Sequence, residues 1–263
     1  MRIITRKSVL VVSLSLLSTL ACAQPSSLFI EDLTWTEVRD ALEHGKTTAI
    51  YYAGSTEQNG PHMALGKHNV IARYVAGRVA EELGNALVYP VLPFAPTGDP
   101  VKKTGHARFP GTVSLSEATF AAVAREVALS ALGAGFKNVV LMGEHGDGQR
   151  ALDRVARQLE RSWAAKGAHV YYIPDAYYGA QRRVRAYLVE HGLPASRHAG
   201  IHDTSELMAL DAEQRWVRGD ELAHGTLKNG VDGDPRQASA TLGKIFLDIK
   251  VSSAVEQIRR LVK

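Results

Sequence analysis

The stretch Lys137-Asn138-Val139-Val140-Leu141-Met142-Gly143-Glu144-His145-Gly146-Asp147-Gly148 decides the fold. It opens on an apolar run too short for a helix, the pattern of a strand buried on both faces. It then breaks into a polar turn bracketed by glycines, and Gln149 to Lys166 follows with helical spacing. Strand, glycine turn and helix in that order form part of a βαβ unit. The same grammar recurs upstream. Thr47 to Ala53 is a β-branched and aromatic run closed by Gly54; Asn69 to Leu83 is a helix with Ile71, Val75, Val79 and Leu83 on one face; Gly84-Asn85 stops it, and Ala86 to Leu92 is a second strand. Downstream, Ala168 to Ile173 is a further strand, and helices follow around 180–191, 203–217 and 238–262. Two more helices complete the pattern. Trp35 to Leu42 is capped by Thr34, and Ser116 to Leu132 is introduced by a Ser114-x-x-Glu117 capping box. Strands alternating with helices predict an α/β domain with a mostly parallel sheet and helices on both faces. The Gly/Pro-rich patches 93–111 and 225–236 are expected to be ordered loops over that sheet, and no linker or repeat divides it.

The chain has 263 residues, 31 Lys and Arg against 27 Asp and Glu, ten histidines and one cysteine. Residues 1–23 read as a secretory signal peptide: Arg2, Arg6 and Lys7, an apolar stretch from Val9 to Leu20, then Ala21-Cys22-Ala23 with small residues at the cleavage positions. Cleavage after Ala23 removes three basic residues and the cysteine, and takes the formal charge from +4 to about +1. The expected product is one domain, residues 24–263, periplasmic or secreted. A lipoprotein acylated on Cys22 is the alternative, disfavoured because Thr19 stands where such signals carry Leu. The near-neutral balance without a basic stripe gives no footprint for nucleic acid. No second apolar run reaches the length of a membrane span. Without cysteine, thiolate chemistry is excluded from the cleaved product. The histidines remain.

They gather where this architecture puts chemistry, beyond the carboxyl ends of the strands. The first strand runs into Gly54-Ser55-Thr56-Glu57-Gln58-Asn59-Gly60-Pro61-His62-Met63-Ala64-Leu65-Gly66-Lys67-His68, and the third into Glu144-His145-Gly146-Asp147. Carboxylate and imidazole side chains on glycine-punctuated turns are the donor set of zinc, manganese or a similar divalent ion. Either loop alone is compatible with solvated or hydrogen-bonded histidines, but two clusters at equivalent places predict a metal centre. A third group, Arg197-His198-Ala199-Gly200-Ile201-His202-Asp203-Thr204-Ser205-Glu206, precedes a helix that Thr204 or Ser205 could cap, whereas His198 and Asp203 suit a site better.

Five motifs in order give a resemblance. They are Gly54-Ser55-Thr56-Glu57-Gln58-x-Gly60-Pro61-His62, Phe109-Pro110-Gly111-Thr112-Val113-Ser114-Leu115, His145-Gly146, His198-Ala199-Gly200-x-x-Asp203-Thr204-Ser205, and Gly230-Val231-x-Gly233-Asp234-Pro235. Together they resemble the creatininase (creatinine amidohydrolase) family over about residues 47–250. The resemblance implies a three-layer α/β sandwich, a homo-oligomer (often a hexamer), and hydrolysis of a cyclic or linear amide at a two-metal centre. Carried over by position, the implied ligands are Glu57, a His where this chain has Asn59, a bridging Asp where it has His68, His145, an acid at Asp147, and a Glu where it has Asp203. Bridging needs two oxygens, and a neutral imidazole offers one lone pair. The changes at 59 and 68 therefore predict one ion per chain, zinc or alternatively manganese, held by Glu57, His68 and His145, with Asp147 as a further ligand or as the base. His198 is expected to protonate the leaving nitrogen, with Asp203 orienting it or holding substrate. Asn59, His62 and Arg108 are candidate substrate contacts; His62 could instead ligate the metal or pack the loop, and Arg108 could form a surface ion pair. The expected activity is metal-dependent cleavage of a non-peptide C–N amide bond in a small molecule. A non-catalytic relative that keeps one metal, or a lactone hydrolase using the same hydroxide, are the alternatives.

Overall fold

The computed structural model describes residues 27–262; the expected leader lies outside the described residues. Four strands, β1 (Thr48–Ala53), β2 (Ala86–Val88), β3 (Asn138–Gly143) and β4 (His169–Tyr172), form a parallel sheet in the order β2-β1-β3-β4. Helices α1 (Trp35–Glu43), α2 (Lys67–Leu83), α3 (Glu117–Ala134), α4 (Gln149–Trp163), α5 (Tyr178–Glu190), α6 (Ile201–Leu210) and α7 (Ala240–Leu261) surround it. A short antiparallel pair, β5 (Ser196–His198) and β6 (Asp232–Gly233), lies apart. The arrangement expected from the sequence, a parallel sheet with helices on both faces, is what forms. No helix among the described residues is long and apolar enough to cross a membrane.

Strand alternation assigns the two faces. Ile50, Tyr52, Val140 and Met142 point to one side, against Ile71, Val75 and Val79 of α2 and Leu247, Val251 and Ala254 of α7. Ala49, Tyr51, Val139 and Leu141 point to the other, against Phe120, Ala124 and Ala128 of α3 and Leu152 and Val155 of α4. Both faces being covered, the strands read as continuous apolar runs, and that is why they were legible.

Register is what positions the chemistry. β1 and β3 pair in step from Thr48 with Asn138 to Ala53 with Gly143, so both strands end at one level. The backbone N–H of Glu144 donates to the carbonyl of Ala53 at 2.8 Å, tying the two exits together. The loop to Glu57 and the turn carrying Glu144 and His145 therefore leave the sheet side by side.

Three sequence expectations shift in detail. The second strand ends at Val88 rather than Leu92, because Pro90 has no N–H for the ladder; Leu92 rejoins only through a bridge to Ala53. The helix begun near residue 203 starts at Ile201 and ends at Leu210 rather than 217. There the Asp211 carboxylate takes the backbone N–H groups of Arg215, Trp216 and Val217 at 2.6, 2.8 and 2.7 Å and turns the chain. Helix α3 is capped by Ser116, whose hydroxyl accepts from Thr119, and not by Ser114. Ser114 instead bonds Thr97 and Gly98 across the loop at 93–111.

Candidate metal centre

Glu57 is fully buried at the strand ends, and each of its oxygens faces an imidazole. Oε1 lies 3.0 Å from Nε2 of His68, in the first turn of α2, and Oε2 lies 2.7 Å from Nε2 of His145. Ser55 adds a hydroxyl donor to Oε2 at 3.1 Å. Burial opposes the charge on Glu57, but the imidazoles of His68 and His145 hold its carboxyl well below the usual range. Burial, helped by the Lys67 ammonium next to it, pushes His68 down to about 3, so its ring is a neutral lone-pair donor at pH 7. His145 is displaced upward, because the Glu57 carboxylate outweighs its burial.

These three residues have donor atoms within 4.8 Å of one another and fit a divalent ion. One carboxylate and two imidazoles, nearly closed off from water, match the ligand chemistry of zinc or manganese. Nδ1 of His68 is buried without a hydrogen-bond partner, so that ring is held by its Glu57 side alone.

A second set converges on the same carboxylate: Glu57, His106 and His198 also have donor atoms within 4.8 Å of one another. The His106 and His198 rings lie 4.4 Å apart, and Nδ1 of His198 is 3.9 Å from Oε1 of Glu57. Gln58 organises both rings. Its amide nitrogen donates to Nδ1 of His106 at 2.7 Å and its backbone carbonyl accepts from Nε2 of His198 at 3.0 Å. The same amide donates to the carbonyl of Gly230 at 3.2 Å. Gly230 sits at φ +91°, and a Cβ there would fall 1.9 Å from the Gln58 amide oxygen. The motif glycine at 230 thus makes room for the side chain that holds His106.

The metal-ligand candidates Glu57, His68 and His145 are therefore brought together, and Asp147 is not. It lies exposed at the pocket rim, outside both donor sets, and its backbone N–H donates to Nδ1 of His145 at 3.1 Å. His198 and Asp203 both line the pocket. Asp203 does not touch the His198 ring. Its Oδ2 accepts from Nζ of the buried Lys67 at 2.7 Å and from the backbone N–H of Ala199 at 2.9 Å. Burial disfavours its charge, yet Lys67 drives its carboxyl far below the usual range. Ala199 adopts a left-handed φ of 55°, a conformation that costs about 1–2 kcal/mol in a residue with a side chain. Asp203 and Lys67 hold that kink, which aims His198.

The three candidate substrate contacts fall elsewhere. Arg108 is exposed, stacked over Phe109 and absent from the pocket wall. Asn59 is buried behind the centre, donating to the carbonyls of Glu57 and Ala64. His62 is buried against the hydroxyl of Thr204 at 3.0 Å, the loop-packing alternative. A side chain turned inward to brace its own loop is indistinguishable by composition from one turned to substrate.

The pocket wall contains Tyr177, at the exit of β4, and residues that the sequence did not single out: His106, Gln181, Arg197, His202 and Lys250. Lys250, 3% exposed, donates to Glu144 at 2.5 Å and to Glu206 at 2.7 Å. Tyr52 donates to the other Glu144 oxygen at 2.6 Å, and His202 pairs with Glu206 at 3.1 Å. Burial raises the Glu144 carboxyl, with Lys250 opposing that rise. Burial also works against Glu206, but Lys250 and His202 bring it down to about 2. The signal in the sequence was a lysine on an otherwise apolar face of α7, between Leu247 and Val251.

The family model for creatinine amidohydrolase, Creatininase, matches residues 31–258. A mycofactocin precursor peptide peptidase of Mycolicibacterium smegmatis is 27% identical over 231 residues, 79% of this chain and 82% of that protein. A creatinine amidohydrolase of Pseudomonas putida is 33% identical over 119 residues, 45% of each chain. Among solved structures, creatinine amidohydrolase (creatininase) superposes with a TM-score of 0.71 at 23% identity, covering 89% of this chain and 98% of that one. A manganese form of creatininase gives 0.71 at 24% identity with the same coverage. The match of the family model over nearly the whole described fold, with the ligand-bearing loops inside it, makes this chain a member of the creatininase family.

Proposed function

We propose that this chain is a metal-dependent amidohydrolase that cleaves a C–N amide bond in a small cyclic or N-acyl substrate. The carrying observation is Glu57, buried at the paired ends of β1 and β3 with an imidazole Nε2 against each oxygen. Among amides, a linear, peptide-like bond is favoured. The relative named as a precursor peptide peptidase aligns with 79% of the chain, while the relative named creatinine amidohydrolase aligns with 45%.

Glu57, His68 and His145 would hold a divalent ion, which would supply Lewis acidity to a water and to the amide carbonyl. The rest falls to side chains. Nε2 of His198 donates to the Gln58 carbonyl, leaving Nδ1 as a lone pair facing the centre. Burial, more than the Lys67 charge, pushes His198 down to about 4, so at pH 7 its ring is neutral. It begins as a proton acceptor and becomes the acid that protonates the leaving nitrogen once it has taken the proton of the attacking water. Asp147, exposed at the rim, is the second candidate acceptor. Asp203 and Lys67 act through the Ala199 backbone to position His198. Zinc is the ion proposed, with manganese the alternative, and one ion per chain. The Glu57, His106 and His198 set is where a second would lie.

The test is turnover of N-acyl amino acids, short peptides, creatinine and simple lactones by protein loaded with Zn²⁺ or Mn²⁺, beside chelated protein. Amide cleavage that needs the ion and is lost in Glu57→Gln is expected. Lactone cleavage alone would overturn the amide assignment, and an active Glu57→Gln would overturn the site.

A further inference from the structure

The catalytic pocket is small, about 250 Å³, and does not end at the histidines. Tyr177, Gln181, Arg197 and His202 line it on one side and a second cavity of about 720 Å³ on the other. The first holds a scissile amide and its immediate substituents; the second has the size of sites that enclose drug-sized ligands. The two cavities adjoin along these four side chains, beside α5.

The chemistry of the second cavity is specific. Val184, Leu188 and Leu193 form an apolar floor that packs on Phe246 and Ile201. Arg182, Arg185 and Arg197 stand around it, and no Asp or Glu belongs to its wall. Arg182 reaches Asp175 only at 3.4 Å and Arg197 reaches Asp232 only at 3.9 Å. Arg185 has no ion-pair or side-chain hydrogen-bond partner among the described residues. Three guanidiniums with weak or absent counter-charges above an apolar floor complement a chain that carries both an apolar side chain and a carboxylate, which guanidinium forks bind in bidentate fashion.

We propose that this groove is a substrate subsite for a peptidyl extension with an apolar side chain and a free carboxylate, the latter bound by Arg182 and Arg185. This deepens the amide-hydrolase reading and rests on it for the reaction, but not for binding. Arg197, at the junction, contacts the stretch between the scissile bond and the carboxylate. The substrate class is then a peptide cut near its C-terminus, and a compact ring such as creatinine would leave the groove empty.

Binding and turnover are measured separately so that the two readings fail separately. Calorimetry on the metal-loaded full chain compares the dipeptide Leu-Leu with its C-terminal amide. The free acid is expected to bind at least tenfold more tightly, and Arg182→Gln/Arg185→Gln is expected to bring the two dissociation constants within twofold of each other. Arg182→Lys/Arg185→Lys is expected to keep most of the preference. In turnover, a blocked tripeptide acid should show a KM about tenfold below that of its amide, and the Gln variant should abolish that gap. Equal binding of acid and amide, or a preference that survives in the Gln variant, overturns the subsite. A Gln variant that changes only the oligomeric state in light scattering also overturns it, showing that the groove receives a second copy of the chain. Preferential binding without any amide cleavage supports the subsite and defeats the hydrolase reading.

Discussion

Replacing Lys250 by Met removes the one positive charge between two buried carboxylates. Lys250, Glu144 and Glu206 are each no more than 3% exposed, and the two contacts are 2.5 and 2.7 Å long. Breaking a buried ion pair by deleting one partner costs about 3–5 kcal/mol, because the remaining charge is stranded out of water. At about 2–4 °C per kcal/mol for a domain of this size, the melting temperature should fall on the order of 6–20 °C. The pH dependence carries the sharper test. In the native protein Glu206 has its pKa lowered to about 2, so its contribution is complete above the ordinary carboxyl value and is lost only as pH falls towards 2. In Lys250→Met the Glu206 carboxyl rises above that ordinary value, and the Glu144 carboxyl, already raised by burial, rises further. The penalty is then full near pH 8 and shrinks as pH falls towards 5, where the stranded carboxylates take up protons. Urea unfolding of the two proteins at pH 5, 6, 7 and 8 measures this, and Lys250→Met/Glu206→Gln should recover part of the loss at pH 8. A deficit below about 1 kcal/mol, or one that stays constant from pH 5 to 8, refutes the reasoning from stranded charge.

Other perturbations separate the parts of the site. Glu57→Gln should drop bound metal from stoichiometric to below about a tenth, read by elemental analysis, since the anionic member of the donor set is gone. His198→Asn should keep its metal and lose about 10²- to 10⁴-fold in kcat, and a loss below tenfold would take His198 out of proton transfer. Gly230→Ala should cost about 1–3 kcal/mol and lower kcat/KM, whereas Gly84→Ala, also at positive φ but with open space around it, should destabilise without touching kcat. Chelation should lower the melting temperature by about 5–11 °C, as expected for losing a ligand present at about 100 times its Kd.

What the sequence made legible follows from periodicity and proximity. Strands covered on both faces read as apolar runs, so the sheet and the loops leaving it were visible, and with them Glu57, His68 and His145. His198 and Asp203 stood out because a helix cap does not call for a histidine five residues before it, and the family motifs fit the same stretch. Less visible was the direction of side chains within a loop: Asn59, His62 and Arg108 have site-like chemistry, but two turn inward to brace the loop and one stays in solvent. His106 was hidden for the converse reason. It lies 49 residues beyond Glu57, in a single 3-10 turn (Gly105–Arg108), and is brought in by the Gln58 amide, a contact with no spacing rule. Lys250 and Glu206 come from α7 and α6, and only the packing of those helices places them beneath the pocket.

Gln58 ties together how the molecule breathes. Its side-chain amide reaches the loop with His106 and the carbonyl of Gly230, and its backbone carbonyl reaches His198 at the end of β5, so three segments distant in sequence share one residue as their fastening. None of them can open alone without leaving a polar group of Gln58 unmatched. In native-state hydrogen exchange the loop at 93–111, the β5–β6 pair and the turn at Gly230 should therefore exchange as one cooperative unit.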